Sequence, residues 1–169
     1  TKVQADSCSA EFQASGDHEL VISRMLAEHV ANPRQFHQNV FQLLAPGGLA
    51  AHCFPTLYAF PFVVNRLLPD RLAKQILNIV APRNTYQYSK FPAYYRWCRG
   101  PSKRQLKRFT DLGYDVVEYK AFVGHPEYYR KLPLLKQLHN AKTAFLLENP
   151  HPLFTSYAYV LLQKPETSR

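Results

Sequence analysis

The chain has 169 residues, 46% of them hydrophobic, and a formal net charge of +9. That is one domain's worth of chain with side chains enough for a core, and no apolar run approaches the roughly 20 residues of a membrane span. The three cysteines, Cys8, Cys53 and Cys98, are widely spaced and form no CxxC. Reduced thiols of a cytoplasmic protein are therefore expected, a zinc site is not, and no basic leader with a small-residue cleavage site indicates secretion.

In chain order, the first clear element is the apolar run Leu20-Val21-Ile22-Ser23, which reads as a strand ending in the polar loop 24–32. A helix follows. Asn32 is a good N-cap, and Pro33 at the first helical position has no amide hydrogen to leave unpaired. Phe36, Val40, Leu43 and Leu44 recur at helical spacing, while Arg34, Gln35, Gln38 and Gln42 take the other faces. Pro46-Gly47-Gly48 then predicts a stop, either glycine supplying the positive φ that closes a helix, before a second strand over Leu49–Phe54. Strand, loop, helix and strand in this order predict an α/β sheet, whose ligands bind beyond the carboxyl ends of the strands.

Residues 57–100 read as an insertion in a core formed by 1–56 and 101–164 of a single domain spanning 1–169. Leu57–Leu68 and Leu72–Val80 predict two helical stretches, the second with a buried stripe of Leu72, Ile76, Leu77 and Val80. Pro82–Gly100 holds too many prolines and aromatics for a regular element. From Arg71 to Thr110 there is no acidic residue and there are ten basic ones, so this window supplies the whole charge excess. Tyr86, Tyr88, Phe91, Tyr94, Tyr95 and Trp97 are interleaved with the charges. Such a surface attracts an anionic partner; a solvated helix face over core aromatics explains the same pattern. The insertion reads as a lid or substrate wall, with Tyr94, Tyr95, Arg96 and Trp97 as substrate-binding residues. An ordinary core elaboration is the plainer alternative. A third is an interfacial helix pair, with Phe60, Phe62, Leu67 and Leu68 meeting lipid.

Beyond the insertion, Ser102 is a plausible N-cap for a helix with Leu106, Phe109 and Leu112 inward and Lys103, Arg104, Lys107 and Arg108 outward. Gly113 ends it, and 115–119 is the next strand. A short helix over Leu132–Leu138, an irregular return over Leu146–Leu153 and a last strand over Thr155–Leu162 complete the chain.

Taken together, these strings resemble the class I S-adenosylmethionine-dependent methyltransferases. Leu20–Ser23 resembles the family's fourth strand, Glu28-His29-Val30 its following loop, and Leu44-Ala45-Pro46-Gly47-Gly48 the end of its next helix. Val3-Gln4-Ala5-Asp6 looks like the end of the third strand. Gln105 through Val117 resembles the helix leading to a Gly-aromatic-x-Val strand, and Tyr157–Lys164 the final strand. The likeness is discontinuous, skipping the middle of the chain and 121–154. It implies a partial Rossmann-like sheet, parallel strands plus a terminal antiparallel one, carrying a helical insertion. The strands near 20–23 and 49–54 should be parallel, those near 115–119 and 156–162 antiparallel neighbours, with helices 33–44 and 102–112 packed on the sheet.

The resemblance implies S-adenosyl-L-methionine as cofactor, with Asp6 facing its adenine, Ser7 beside it, and Ser23, Arg24 and Met25 where the fourth strand opens onto it. Glu28 and His29 are the candidate catalytic pair, since an imidazole titrates near neutrality and can serve as general base. An equally economical role for the pair is structural, fixing the loop and capping the helix. In ubiquinone-pathway O-methyltransferases a related loop reads Glu-x-x-Glu-His and can hold a divalent cation. Here Met25 replaces the first acid, and two ligands make a weak site, so no metal is expected.

The departures matter as much. None of the six glycines forms a GxG, and only Thr1 and Lys2 precede the presumed third strand. The family's first two strands, with the glycine loop and the ribose acid, are thus missing. The chain opens without an initiator methionine or N-terminal cap element, so a piece of a longer enzyme is expected over a degenerate domain. The expected function is methyl transfer to an unidentified small-molecule or lipid-like, anionic acceptor. The alternative is an inactive binding module for RNA, an acidic carrier protein or a membrane surface. A P-loop or dinucleotide enzyme is set aside for want of its motif. The absent first strand predicts an open edge at Leu20–Ile22, through which the chain would self-associate.

Overall fold

The structure, a computed structural model, describes residues 4–13, 16–57, 92–124 and 133–166. Strand β1 (His18–Arg24) is followed by the 3-10 turn Ala27–His29, helix α1 (Pro33–Leu43) and strand β2 (Leu44–Pro55). Then come α2 (Lys103–Thr110), β3 (Asp115–Phe122), α3 (Pro133–Glu148), the 3-10 turn Pro152–Phe154 and β4 (Tyr157–Gln163). The two helical stretches expected within 58–80 and the proposed lipid-facing Phe60, Phe62, Leu67 and Leu68 lie outside the described residues.

The four strands form one sheet in the order β1-β2-β4-β3. β1 and β2 are parallel, and β4 runs antiparallel to both β2 and β3, as the resemblance implies. Period-two alternation sends Ala50 and Phe54 of β2 and Ala158, Val160 and Leu162 of β4 to one buried face. Phe36 and Val40 of α1 and Phe109 of α2 join the same core, so both helices cover that face. On the opposite face of β1, Leu20 is 53% and Ile22 69% exposed.

Local chemistry sets the ends of α1. The Asn32 side chain accepts from the Gln35 amide at 3.3 Å, and Pro33 opens the helix. The exit differs from the expected glycine cap. Leu44 is already extended, and Pro46-Gly47-Gly48 lies inside β2 rather than between helix and strand. The pairing steps from His18↔Leu44 to Leu20↔Leu49, so β2 bulges there, with Gly47 at φ 78°. A Cβ on Gly48 would sit 2.8 Å from the His18 carbonyl oxygen, which explains the glycine within a strand. Lys164 ties the bulge to β4, its amide donating to the Gly48 carbonyl and its carbonyl accepting from the Gly47 amide, both at 2.9 Å.

Ser102 caps α2 as expected, accepting from the Gln105 amide. Gly113, at φ 93°, ends the turn after it: its amide donates to the Thr110 carbonyl and that of Tyr114 to the Phe109 carbonyl. The inward face differs from expectation. Phe109 is buried, but Leu106 is exposed and Gln105 takes the interior, its side-chain amide satisfied by the Trp97 carbonyl. The C-terminal reading also needs correcting, because one 16-residue helix, α3, replaces the short helix and runs on into the start of the irregular return, to Glu148. Between Pro133 and Pro150 no proline or glycine interrupts it. Gln4–Asp6 belong to no strand, against the expected third-strand end; Val3 lies outside the described residues.

Candidate functional site

β1 and β2, being parallel, finish at the same end of the sheet, with Arg24 opposite Cys53. The Met25 amide donates to the Cys53 carbonyl at 2.9 Å, and Met25 turns to φ 54°, a left-handed conformation uncommon outside glycine. The chain thereby leaves the sheet sharply, and the turn Ala27–His29 follows at once. The Glu28 carbonyl accepts from the amides of Tyr94 (2.7 Å) and Tyr95 (3.1 Å). His29 Nδ1 lies 2.7 Å from the Pro92 carbonyl oxygen, which can only accept. Nδ1 therefore carries the hydrogen in the neutral ring, leaving Nε2 as the basic atom. The two loops, distant in sequence, are thus clasped over the end of the sheet.

The Glu28 side chain is 3% exposed. One carboxyl oxygen stands 3.8 Å from His29 Nε2, and the other has no hydrogen-bond partner among the described residues. Burial pushes this carboxyl above the usual carboxylate range, opposed by a backbone hydrogen bond and by His29. Cys98 lies in the core, its thiol pushed well up by burial and then by Glu28, which makes it an unreactive one.

Beneath the clasp lies a buried polar column. Ser23 Oγ and His52 Nδ1 are 2.7 Å apart. The rings of His52 and His37 meet edge to face with centroids 5.0 Å apart, and His37 stacks on Trp97 at 5.6 Å. His52 Nε2 and His37 Nδ1 are buried without hydrogen-bond partners among the described residues. Burial holds His52 down to about 4, and burial with His52 as neighbour holds His37 well below the usual imidazole value. Both rings are therefore neutral at pH 7.

The structure thus brings Ser23, Arg24, Met25, Glu28, His29, Tyr94 and Tyr95 to one end of the sheet. Tyr94 is exposed, with the Arg96 guanidinium 5.9 Å from its ring, while Tyr95 is buried and Trp97 packs against His37 and Phe109. Asp6 and Ser7 sit apart. Asp6 accepts from the Cys8 amide at 2.8 Å, and the Ser7 and Ser9 carbonyls accept from Asn39 on α1. Sequence reasoning missed His37 and His52. The available signal was a polar residue at an inward position, His52 alternating with Ala50 and Phe54, and His37 beside Phe36.

Among solved structures the chain is similar to the 4+2 cyclase SpnF, with 12% identity and a TM-score of 0.51 over 96% of this chain and 55% of that one. It is also similar to an S-adenosylmethionine-dependent methyltransferase from Methanosarcina mazei, at 12% identity and TM-score 0.47, covering 96% of this chain and 66% of that one. A third is phosphoethanolamine N-methyltransferase 2 from Haemonchus contortus in complex with S-adenosyl-L-methionine, at 16% identity and TM-score 0.47, covering 95% and 36%. The chain spans about half the length of the cyclase. No protein-family model and no curated protein matches the sequence. The mixed sheet, with β1 and β2 parallel and β4 antiparallel between β2 and β3, fits the class I methyltransferase fold that the sequence resembles. At such identities the likeness is one of fold, and a fold does not fix a reaction.

The cofactor of that family needs a glycine cradle. The confined glycines here are held against backbone: a Cβ on Gly100 would meet the Pro152 carbonyl oxygen, one on Gly16 that of Gln42 at 2.7 Å and one on Gly48 that of His18 at 2.8 Å. Ser23–Met25, where the resemblance expects the cofactor, stand at the end of β1, and no GxG loop stands among the described residues. Among them, no three His, Cys, Asp or Glu side chains are grouped to hold a metal ion, and no helix is long and apolar enough to cross a membrane.

Proposed function

We propose that this chain is the acceptor-side part of an S-adenosylmethionine-dependent methyltransferase acting on a small-molecule or lipid-like acceptor. The cofactor would be held jointly with polypeptide outside these 169 residues. The observation carrying this reading is the parallel β1–β2 pair, which ends under a clasped loop bearing Glu28 and His29 in a sheet of order β1-β2-β4-β3. Methyl transfer from a sulfonium needs in-line positioning and exclusion of water more than a fixed catalytic group. The clasp of 25–30 with 92–98 supplies a wall for that purpose, with exposed Tyr94 and Arg96 toward the acceptor. Where the acceptor must lose a proton, His29 Nε2, 3.8 Å from the Glu28 carboxyl, receives it.

Calorimetry with S-adenosylhomocysteine tests the reading. The 169-residue chain should bind weakly or not at all. Adding about 80–120 upstream residues, the length of two strand–helix units in a typical domain, should restore binding. In that longer polypeptide His29→Ala should leave cofactor affinity unchanged. No binding by the longer polypeptide would favour the non-enzymatic alternative, and tight binding by the short chain would mean that the cofactor site lies elsewhere.

A further inference from the structure

A second cluster lies at the start of α2, joined to the 92–98 segment of the clasp through Arg99 and Arg108. A pocket of about 310 Å³ opens between the first turns of α2 and the turn Pro152–Phe154. Arg99, Ser102, Arg104, Gln105 and Arg108 line one side, with Pro152 and Leu153 opposite. Three arginines thus line one small cavity. Among the described residues no carboxylate is paired with Arg104 or Arg108. Lys107, on the same helix, is paired with Asp111 at 2.6 Å.

The cluster is built, not merely basic. Gln105 is 2% exposed, donates to the Trp97 carbonyl and accepts from Arg108. Arg108 also lies over the Trp97 ring at 5.3 Å. Arg99 is pinned by the Tyr95 and Cys98 carbonyls at 2.6 and 3.0 Å, and Tyr119 donates to the Arg99 carbonyl at 2.7 Å. Like charges held this close repel one another. Burial, and after it Arg104 and Arg99, hold Arg108 below the usual arginine range. An anion in the pocket would remove that repulsion. Ser102 caps the Gln105 amide, and the N-terminal end of α2 beside the pocket favours negative charge.

We propose that this pocket binds the phosphate of a phosphomonoester, Arg104 and Arg108 supplying forked donors, Arg99 further charge and Leu153 an apolar contact for the organic part. Planar guanidinium forks match phosphate oxygens better than ammonium groups do. A confined pocket of this size, rather than a long groove, favours one small phosphorylated group over a nucleic-acid backbone. The inference needs no methyl transfer, so it stands or falls separately from the proposed reaction.

Calorimetry on the 169-residue chain uses four probes: glycerol 3-phosphate, inorganic phosphate, phosphatidylcholine vesicles with and without phosphatidic acid, and a single-stranded RNA oligonucleotide. Saturable glycerol 3-phosphate binding is expected, weakened at least tenfold by Arg104→Gln and by Arg108→Gln and unchanged by Lys107→Gln. Arg104 is exposed, so its variant reads binding even if the Arg108 variant is destabilised. Equal affinity for inorganic phosphate would assign the site to free phosphate. Preference for phosphatidic acid vesicles with the same arginine dependence would assign it to a lipid headgroup. Both keep the phosphate chemistry. No saturable binding of any probe, or equal loss in the Lys107 and Arg104 variants, overturns the proposal, as does exclusive binding of single-stranded RNA.

Discussion

Acid should unfold this protein through its buried histidines. His52 is neutral in the fold, held at about 4 by burial, whereas in the unfolded chain an imidazole titrates near 6.5. The folded value is the lower, so the neutral ring's contribution is complete above about pH 6.5 and is lost as the pH falls toward 4. Across that window His52 alone should cost about 3 kcal/mol, because each pH unit separating the two values is worth roughly 1.4 kcal/mol. His37 acts in the same direction. Glu28 acts in the opposite one: its raised carboxyl favours the folded state at low pH and loses that contribution as the pH rises through its folded value. The comparison must therefore be between variants. Urea denaturation followed by Trp97, the single tryptophan and stacked on His37, should be run from pH 7 to pH 4 on wild type and His52→Leu. The leucine strands Ser23 Oγ and lowers stability at neutral pH, but its loss on acidification should be smaller by about 3 kcal/mol. Parallel pH dependences in the two proteins would refute the assignment of a neutral, buried His52.

Three further outcomes follow from the packing. Phe109→Ala empties a fully buried site against Trp97 and His37 and should cost about 3–5 kcal/mol in denaturant unfolding. Asn39→Ala removes both bonds to the Ser7 and Ser9 carbonyls, so amides in 4–13 should exchange faster with solvent while those of β2 and β4 keep their protection. The open edge of β1, with Leu20 and Ile22 exposed, should drive association that Ile22→Lys reduces in light scattering. Position 22 is the proper site for that charge, because Val21 packs against the core.

Much of this molecule is legible in its residues alone. The Asn32–Pro33 start of α1 and the Ser102 and Gly113 ends of the second helical unit depend on neighbours three to five residues away, and sequence carries such neighbours directly. The strands are visible for a similar reason, since alternation and β-branched runs are local. The directions of the β1–β2 and β3–β4 pairs came from resemblance, not from any local signal, and the β2–β4 pairing that completes the strand order is tertiary. Long-range contacts decided the rest. Pro46-Gly47-Gly48 looks like a helix stop, but the Lys164 backbone on β4 and the close His18 carbonyl draw it into β2. Gln105 is polar, yet a carbonyl on the preceding loop makes it an interior residue in place of Leu106. Glu28 and His29 could be named as a pair, whereas their clasp on Pro92–Tyr95 could not, because it joins segments more than sixty residues apart. The neutral His52–His37 column and the arginine pocket belong wholly to tertiary structure. A histidine's charge and an arginine's repulsion are set by what burial removes and what the fold brings near.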